Sequence, residues 1–172
     1  MEKELVPEEI TTPELTEIQM ENLIHCYGNE LLRLCTLILK DRALAEDALQ
    51  ETYIRVWKNY SGFQKRSAEK TWITRIAVNV CKNYLRSPWN RRAVVTDAWE
   101  LLGSEKSQAE TVEEAVDLMN AMMKLKQKYR MVILLHYYEE MPVKEICKVL
   151  GRKESTVLSW LKRAREQLKG LL

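Results

Sequence analysis

Apolar residues recur at intervals of three and four along most of the chain, a period that marks amphipathic helices rather than strands. From Leu15 the positions Ile18, Leu23, Ile24, Tyr27, Leu31, Leu34, Cys35 and Ile38 form one stripe, which predicts a helix reaching about Leu39. Asp41 is placed to cap a second helix through ALAEDALQETYIRVWKNY, with Leu44, Ala45, Ala48, Leu49, Thr52, Val56 and Tyr60 inward and Ser61-Gly62 as its stop. Ser61 to Lys70 is short, polar and basic, a loop by composition. A third helix, KTWITRIAVNVCKNYLR, is expected to bury Trp72, Ile73, Ile76, Val80 and Tyr84 and to end before Ser87-Pro88, because proline disfavours helical geometry in the residue ahead of it.

The helical period is absent at both flanks of this segment. Residues 1–14 hold Pro7, Pro13 and a run of Glu with little to bury, the composition of a mobile acidic tail. Residues 88–111 bring Pro88, Gly103 and several Ser, Thr and Glu, which reads as a linker. Periodicity resumes near Val112 and continues to Leu172 with one or two breaks, enough for three or four helices. The expected architecture is therefore all-α: one small helical domain over 15–87 and a second over 112–172, joined by a flexible linker.

Composition agrees, with 5 Gly and 4 Pro in 172 residues leaving few turn formers and making a sheet-based enzyme a poor fit. The longest apolar run, Met131 to Leu135, is far short of the roughly 18 residues that span a bilayer, and the acidic MEKELVPEEI does not resemble a signal peptide. Cys26, Cys35, Cys81 and Cys147 show no C-x-x-C or Cys/His ligand spacing and read as buried small hydrophobes in a reducing cytosol.

Charge changes the picture more than composition does. The net charge of +2 conceals one basic against eight acidic side chains in residues 1–30, and ten against five in residues 31–85. Residues 86–123 hold four basic against seven acidic, and residues 124–172 twelve against five. Two basic blocks flanking an acidic one suit two surfaces that each meet a polyanion, although solvated helix faces would give the same count.

Within the last block, PVKEICKVLGRKESTVLSWLKRAREQL has the spacing of a DNA-binding helix-turn-helix. Pro142 opens a helix burying Val143, Ile146, Cys147 and Leu150; Gly151 makes the turn; the next helix buries Val157, Leu161, Ala164 and Leu168. At 100° per residue Ser155, Ser159, Lys162 and Glu166 face away from that core, flanked by Leu158 and Arg163. Short donors beside cations can reach base edges and phosphates together. The second helix of the chain carries a different face: Asp47, Gln50 and Glu51 lie three and four residues apart and Ile54 extends them by a turn, which suits a protein partner with basic side chains.

Asp47-Ala48-Leu49-Gln50-Glu51 resembles the core-polymerase-binding helix of bacterial sigma factors. TWITRIAVNVCKNYLR is similar to the promoter-melting helix of their extracytoplasmic-function group, and STVLSWLKRAREQL to its minus-thirty-five reader. The three motifs stand in the right order over about residues 15–172. The resemblance implies regions two and four of the sigma-70 family without the further domains of housekeeping members. It makes the chain an alternative sigma factor, acting in the cytoplasm, that brings core RNA polymerase to promoter DNA. Family members are often held by an anti-sigma factor, though no residue here proves one.

The same resemblance assigns sites. Core polymerase would meet Asp47, Gln50, Glu51 and Ile54. A base taken from the stack needs an aromatic surface and a two-way hydrogen-bonding group; Phe63 and Asn79 match the family's minus-ten base pocket. Lys65, Arg66, Lys70, Arg75, Lys82 and Arg86 would hold the strand backbone. Arg152, Ser155, Thr156, Leu158, Ser159, Lys162 and Arg163 would meet the minus-thirty-five element, with Lys162 and Ser159 reading bases and Arg163 and Arg152 gripping phosphate. Leu158 and Trp160 depart from the basic residues of many relatives, so sequence preference there does not carry over. Trp57 and Trp72 are assigned to packing. Only His25 and His136 are available, neither beside a nucleophile, and there is no phosphate loop or metal cluster, so neither enzymatic activity nor a cofactor is expected. A stand-alone helix-turn-helix regulator would explain the basic C-terminal block but not the Asp47 face or the Phe63 loop.

Overall fold

The computed structural model describes residues 15–88 and 112–172, and all regular structure among them is helical. Helix α1 spans Glu17–Leu39. It opens on a reciprocal cap in which Gln19 N–H donates to Thr16 Oγ1 (3.2 Å) and Thr16 N–H to Gln19 Oε1 (2.9 Å). It closes at Lys40, whose left-handed backbone (φ 59°) returns an N–H to the Thr36 carbonyl. Helix α2, Arg42–Asn59, is capped as expected by Asp41, which accepts from Leu44 N–H at 3.0 Å. A 3₁₀ turn over Tyr60–Gly62 leads to α3, Glu69–Arg86, and Ser87 leaves it in extended geometry ahead of Pro88.

These three helices enclose one core in which Leu31, Leu34, Ile38, Val56 and Ile73 are almost wholly buried. The α1 stripe keeps its predicted phase at Leu23, Leu31, Leu34, Cys35 and Ile38, and the α3 stripe is rotated. On α1, Ile18 and Ile24 are exposed, and burial is concentrated in the second half of the helix. On α3 the buried residues are Ile73, Thr74, Ala77, Val78, Val80 and Cys81, while Trp72, Ile76 and Tyr84 are half-buried at the margin. The physical reason is side-chain size: Ala77 and Cys81 let α3 approach its neighbours closely, which turns the larger rings to the flank. Two further expectations need correction. Trp57 is 44% exposed rather than packed, and Cys26 is exposed, although Cys35 and Cys81 are fully buried.

The second module begins with α4, Val112–Lys124, followed by α5, Gln127–Ile133, which runs on into a π-helical turn, Leu134–Tyr138. Helices α6, Val143–Leu150, and α7, Glu154–Leu171, complete it. Gly151 takes the left-handed turn between them (φ 61°), a conformation that a Cβ would strain. Val157, Leu161 and Ala164 bury the inner face of α7. The acidic tail and the linker lie outside the described residues, Pro88 excepted.

The modules touch through polar groups that no local pattern announces. Arg130 of α5 is 4% exposed and faces no carboxylate among the described residues. Its guanidinium donates to the carbonyls of Leu37, Ile38 and Leu125, each at 3.0 Å. The first two are orphan acceptors at the C-terminal end of α1, where a cation is favoured by both hydrogen bonding and the helix dipole. Lys40 reciprocates by donating its ammonium to the Met123 carbonyl near the end of α4. Each module thus caps a helix of the other.

Candidate functional site

Three surfaces stand apart on this frame. On α2, Asp47 and Gln50 are exposed and Ile54 is 54% exposed, so the acidic, amide and aliphatic groups do share an open face. Glu51 is half-buried and pairs with Arg55 one turn on, with Tyr84 of α3 beside it. Burial first, then Glu51 and Asp47, push the Tyr84 hydroxyl up, since an added negative charge there is disfavoured. The exposed Trp57, three residues after Ile54, extends the face by another turn. Its spacing in the sequence was the available signal; its size argued for the core instead.

The second surface surrounds the loop before α3. Phe63 rests on Trp72 with ring centroids 5.0 Å apart, and Tyr60 completes the cluster at 6.0 Å from Phe63 and 5.9 Å from Trp72. The Tyr60 hydroxyl donates to Glu69, and that bond, with burial, pushes it up to about 12. Trp72, Ile76 and Asn79 follow one face of α3, with Asn79 about 10 Å along the axis from Trp72. Phe63 therefore packs at the start of the α3 face on which Asn79 lies two turns later, the two joined by no hydrogen bond or ring contact among the described ones. Lys65, Arg66 and Arg75 are exposed around it, Lys65 in a left-handed turn (φ 54°). Lys70 is differently placed: its ammonium lies 2.6 Å from Glu30 and 3.5 Å from Glu139, so it faces the module boundary. Lys82 and Arg86 sit at the far end of α3, also at that boundary.

The third surface is α7. Ser155, Ser159 and Lys162 are exposed, Leu158 is 46% exposed and Thr156 is half-buried, which matches the outward face read from the sequence. Arg163 is exposed and lies near the Tyr129 hydroxyl, whose pKa it lowers, and Arg152 lies 5.8 Å from the centre of the Trp160 ring. Lys162 carries no ion pair among the described residues. No group of three or more His, Cys, Asp or Glu among the described residues could hold a metal ion. None of the described helices is long and apolar enough to cross a membrane.

Two helical modules, one with an aromatic cluster and an open acidic face and the other with a helix-turn-helix, define a transcription factor of the sigma class. Residues 23–92 match the model of sigma-70 region 2, and residues 115–168 that of sigma-70 region 4. The extracytoplasmic-function RNA polymerase sigma factor SigM of Bacillus subtilis is 31% identical over 157 residues, covering 88% of this chain and 94% of that protein. SigX of the same organism is 32% identical over 143 residues, covering 78% and 74%. Among solved structures, the sigma factor RpoE in complex with the anti-sigma factor NepR from Bartonella quintana superposes with a TM-score of 0.71 at 19% identity, over 91% of this chain and 97% of that one. CnrH in complex with the cytosolic domain of CnrY gives 0.65 at 22% identity, over 91% and 88%. The chain belongs to the extracytoplasmic-function group of sigma-70 factors. It is an alternative sigma factor: it binds core RNA polymerase and directs it to promoters to initiate transcription.

Proposed function

We propose that this factor divides its work among the three surfaces, with residues 15–87 binding core enzyme and opening the minus-ten element and residues 112–172 reading the minus-thirty-five element. Asp47, Gln50, Glu51 and Ile54 meet core polymerase, and Trp57 anchors the same contact. The separation of this acidic, apolar face from the cationic surfaces is the observation that carries the reading, because a face that repels phosphate suits a basic protein partner. At the start of α3, Phe63 supplies the surface for a flipped base and Asn79 its polar recognition, while Lys65, Arg66, Arg75, Lys82 and Arg86 hold the strand. Lys70 joins them only once its pairs with Glu30 and Glu139 open. On α7, Lys162 and Ser159 read bases with Ser155, Thr156 and Leu158 beside them, and Arg152 and Arg163 supply backbone affinity.

The protein works without catalysis of its own, in the cytoplasm where polymerase acts. The two structural neighbours were each solved with a regulatory partner, an anti-sigma factor in one and the cytosolic domain of CnrY in the other. An anti-sigma factor for this chain fits that precedent. The test is binding of the full chain to core enzyme without DNA. Asp47→Ala or Trp57→Ala should weaken it by about 2 kcal/mol, the cost of a central interface contact. Unchanged affinity in both variants, with the helical spectrum intact, would assign the polymerase contact to another face.

A further inference from the structure

A cleft of about 640 Å³ lies where the end of α3 meets the start of α5 and the helix-turn-helix. Lys82, Arg86, Lys126, Lys128 and Arg152 line it, and among the described residues no carboxylate does. None of the five forms an ion pair among the described residues. Beneath them the floor is apolar: Leu85, Met131 and Leu150, with Trp160 as a wall between Lys128 (5.5 Å from the ring centre) and Arg152. Burial, then Arg86 and Arg152, hold the Lys82 ammonium below its ordinary range, so cations from both modules converge on one point.

Gathering like charges in a partly enclosed space opposes module contact, and an anion placed among them reverses that penalty. The groove-reading residues Ser155, Ser159 and Lys162 are not in the lining, and a duplex is too wide for a space of this volume. A small ligand with several negative charges and one flat apolar part satisfies both the cationic rim and the apolar floor, and the volume falls within the usual range for such sites, about 300–1,000 Å³. We infer that the cleft between the two modules is a binding site for a nucleoside polyphosphate, its phosphates held by Lys82, Arg86, Lys126 and Arg152 and its base against Trp160 and the apolar floor. A ligand held from both sides bridges the modules and competes with the DNA roles of Lys82, Arg86 and Arg152.

The test is calorimetry on the full chain, without polymerase or DNA, using ATP and GTP against inorganic tripolyphosphate and adenosine. One nucleotide should bind per chain at least tenfold more tightly than tripolyphosphate, and adenosine not measurably. Lys126→Gln with Lys128→Gln, two exposed positions outside the proposed DNA and polymerase contacts, should weaken nucleotide binding at least tenfold with melting unchanged. Arg130→Met, which removes one tie between the modules and replaces none of the cleft's own side chains, should also weaken nucleotide binding. Equal affinity for ATP and tripolyphosphate would reduce the site to a generic polyanion patch and overturn the inference. So would nucleotide binding that survives both the lysine and the Arg130 variants.

Discussion

Glu139 is the residue whose chemistry departs furthest from its surroundings. Its side chain is 1% exposed, Lys70 lies 3.5 Å from one carboxylate oxygen and the other has no partner. Burial, reinforced by Glu30 and opposed by Lys70, pushes its carboxyl up to about 7. Lys70 and Glu30 belong to the first module, so parting the modules returns Glu139 toward its ordinary value. The closed form then holds the proton more tightly, and its advantage is greatest in acid and is lost as pH rises through about 7. Lowering pH from 8 to 6 should compact the protein in solution scattering, and Glu139→Gln should flatten that response. Gly28 makes a simpler case within α1. A Cβ there would meet Tyr53 Oη at 3.6 Å and Ile24 Cγ2 at 3.8 Å, ordinary contacts, so Gly28→Ala should stabilise the fold by about 0.5–1 kcal/mol through helix propensity. A raised melting temperature checks it; a lowered one would mean that α1 cannot accept the methyl group.

At the scale of elements, the helix-turn-helix shows what a chain declares about itself. Gly151 at φ 61° and the Val157, Leu161, Ala164 spacing were legible because both depend on residues a few positions apart. The cap at Asp41 was legible for the same reason. The phase of α3 was not, because periodicity ranks positions by hydrophobicity whereas the packed face was chosen by size, favouring Ala77 and Cys81 over Trp72 and Ile76. Trp57 was misplaced on the same ground. Of the candidate site, the outward face of α7 and the open face of α2 emerged as read, but the turning of Lys70 toward Glu30 depends on a fold-level encounter. The nearness of Arg163 to the Tyr129 hydroxyl sharpens one expectation for α7. Arg163→Ala should lower affinity evenly across promoter sequences and reduce the salt slope by about one, whereas Lys162→Ala should relax preference at particular base pairs. Competition binding against a randomised minus-thirty-five element distinguishes them, and reversed outcomes would exchange the two roles.

Across the whole molecule, if the two modules take the two promoter elements as proposed, the described arrangement cannot hold both at once. Elements named minus-ten and minus-thirty-five lie about 25 base pairs apart, roughly 85 Å of duplex at about 3.4 Å per pair. Here Lys82 and Arg86 of the first module line the same cleft as Arg152 of the second. Engagement of both elements therefore requires the modules to part, which breaks the bonds from Arg130 to Leu37 and Ile38 and from Lys40 to Met123. Arg130→Met should leave two helix-end carbonyls without their donors, at about 1–3 kcal/mol each if they stay buried. The modules should separate instead, and scattering should show a longer molecule. Unaltered dimensions would place the hold on the modules elsewhere.

Those bonds join residues 92 and 93 positions apart, and that interval is also a duration. Ribosomes add about 5–20 residues per second, so the end of α1 is made roughly 5–20 s before the arginine that will cover it. During that interval the Leu37 and Ile38 carbonyls lack the donor that will cap them. A nascent chain therefore carries a completed α3 for roughly 2–9 s before Arg130 exists, and through that interval Lys70, Lys82 and Arg86 stand clear of the second module.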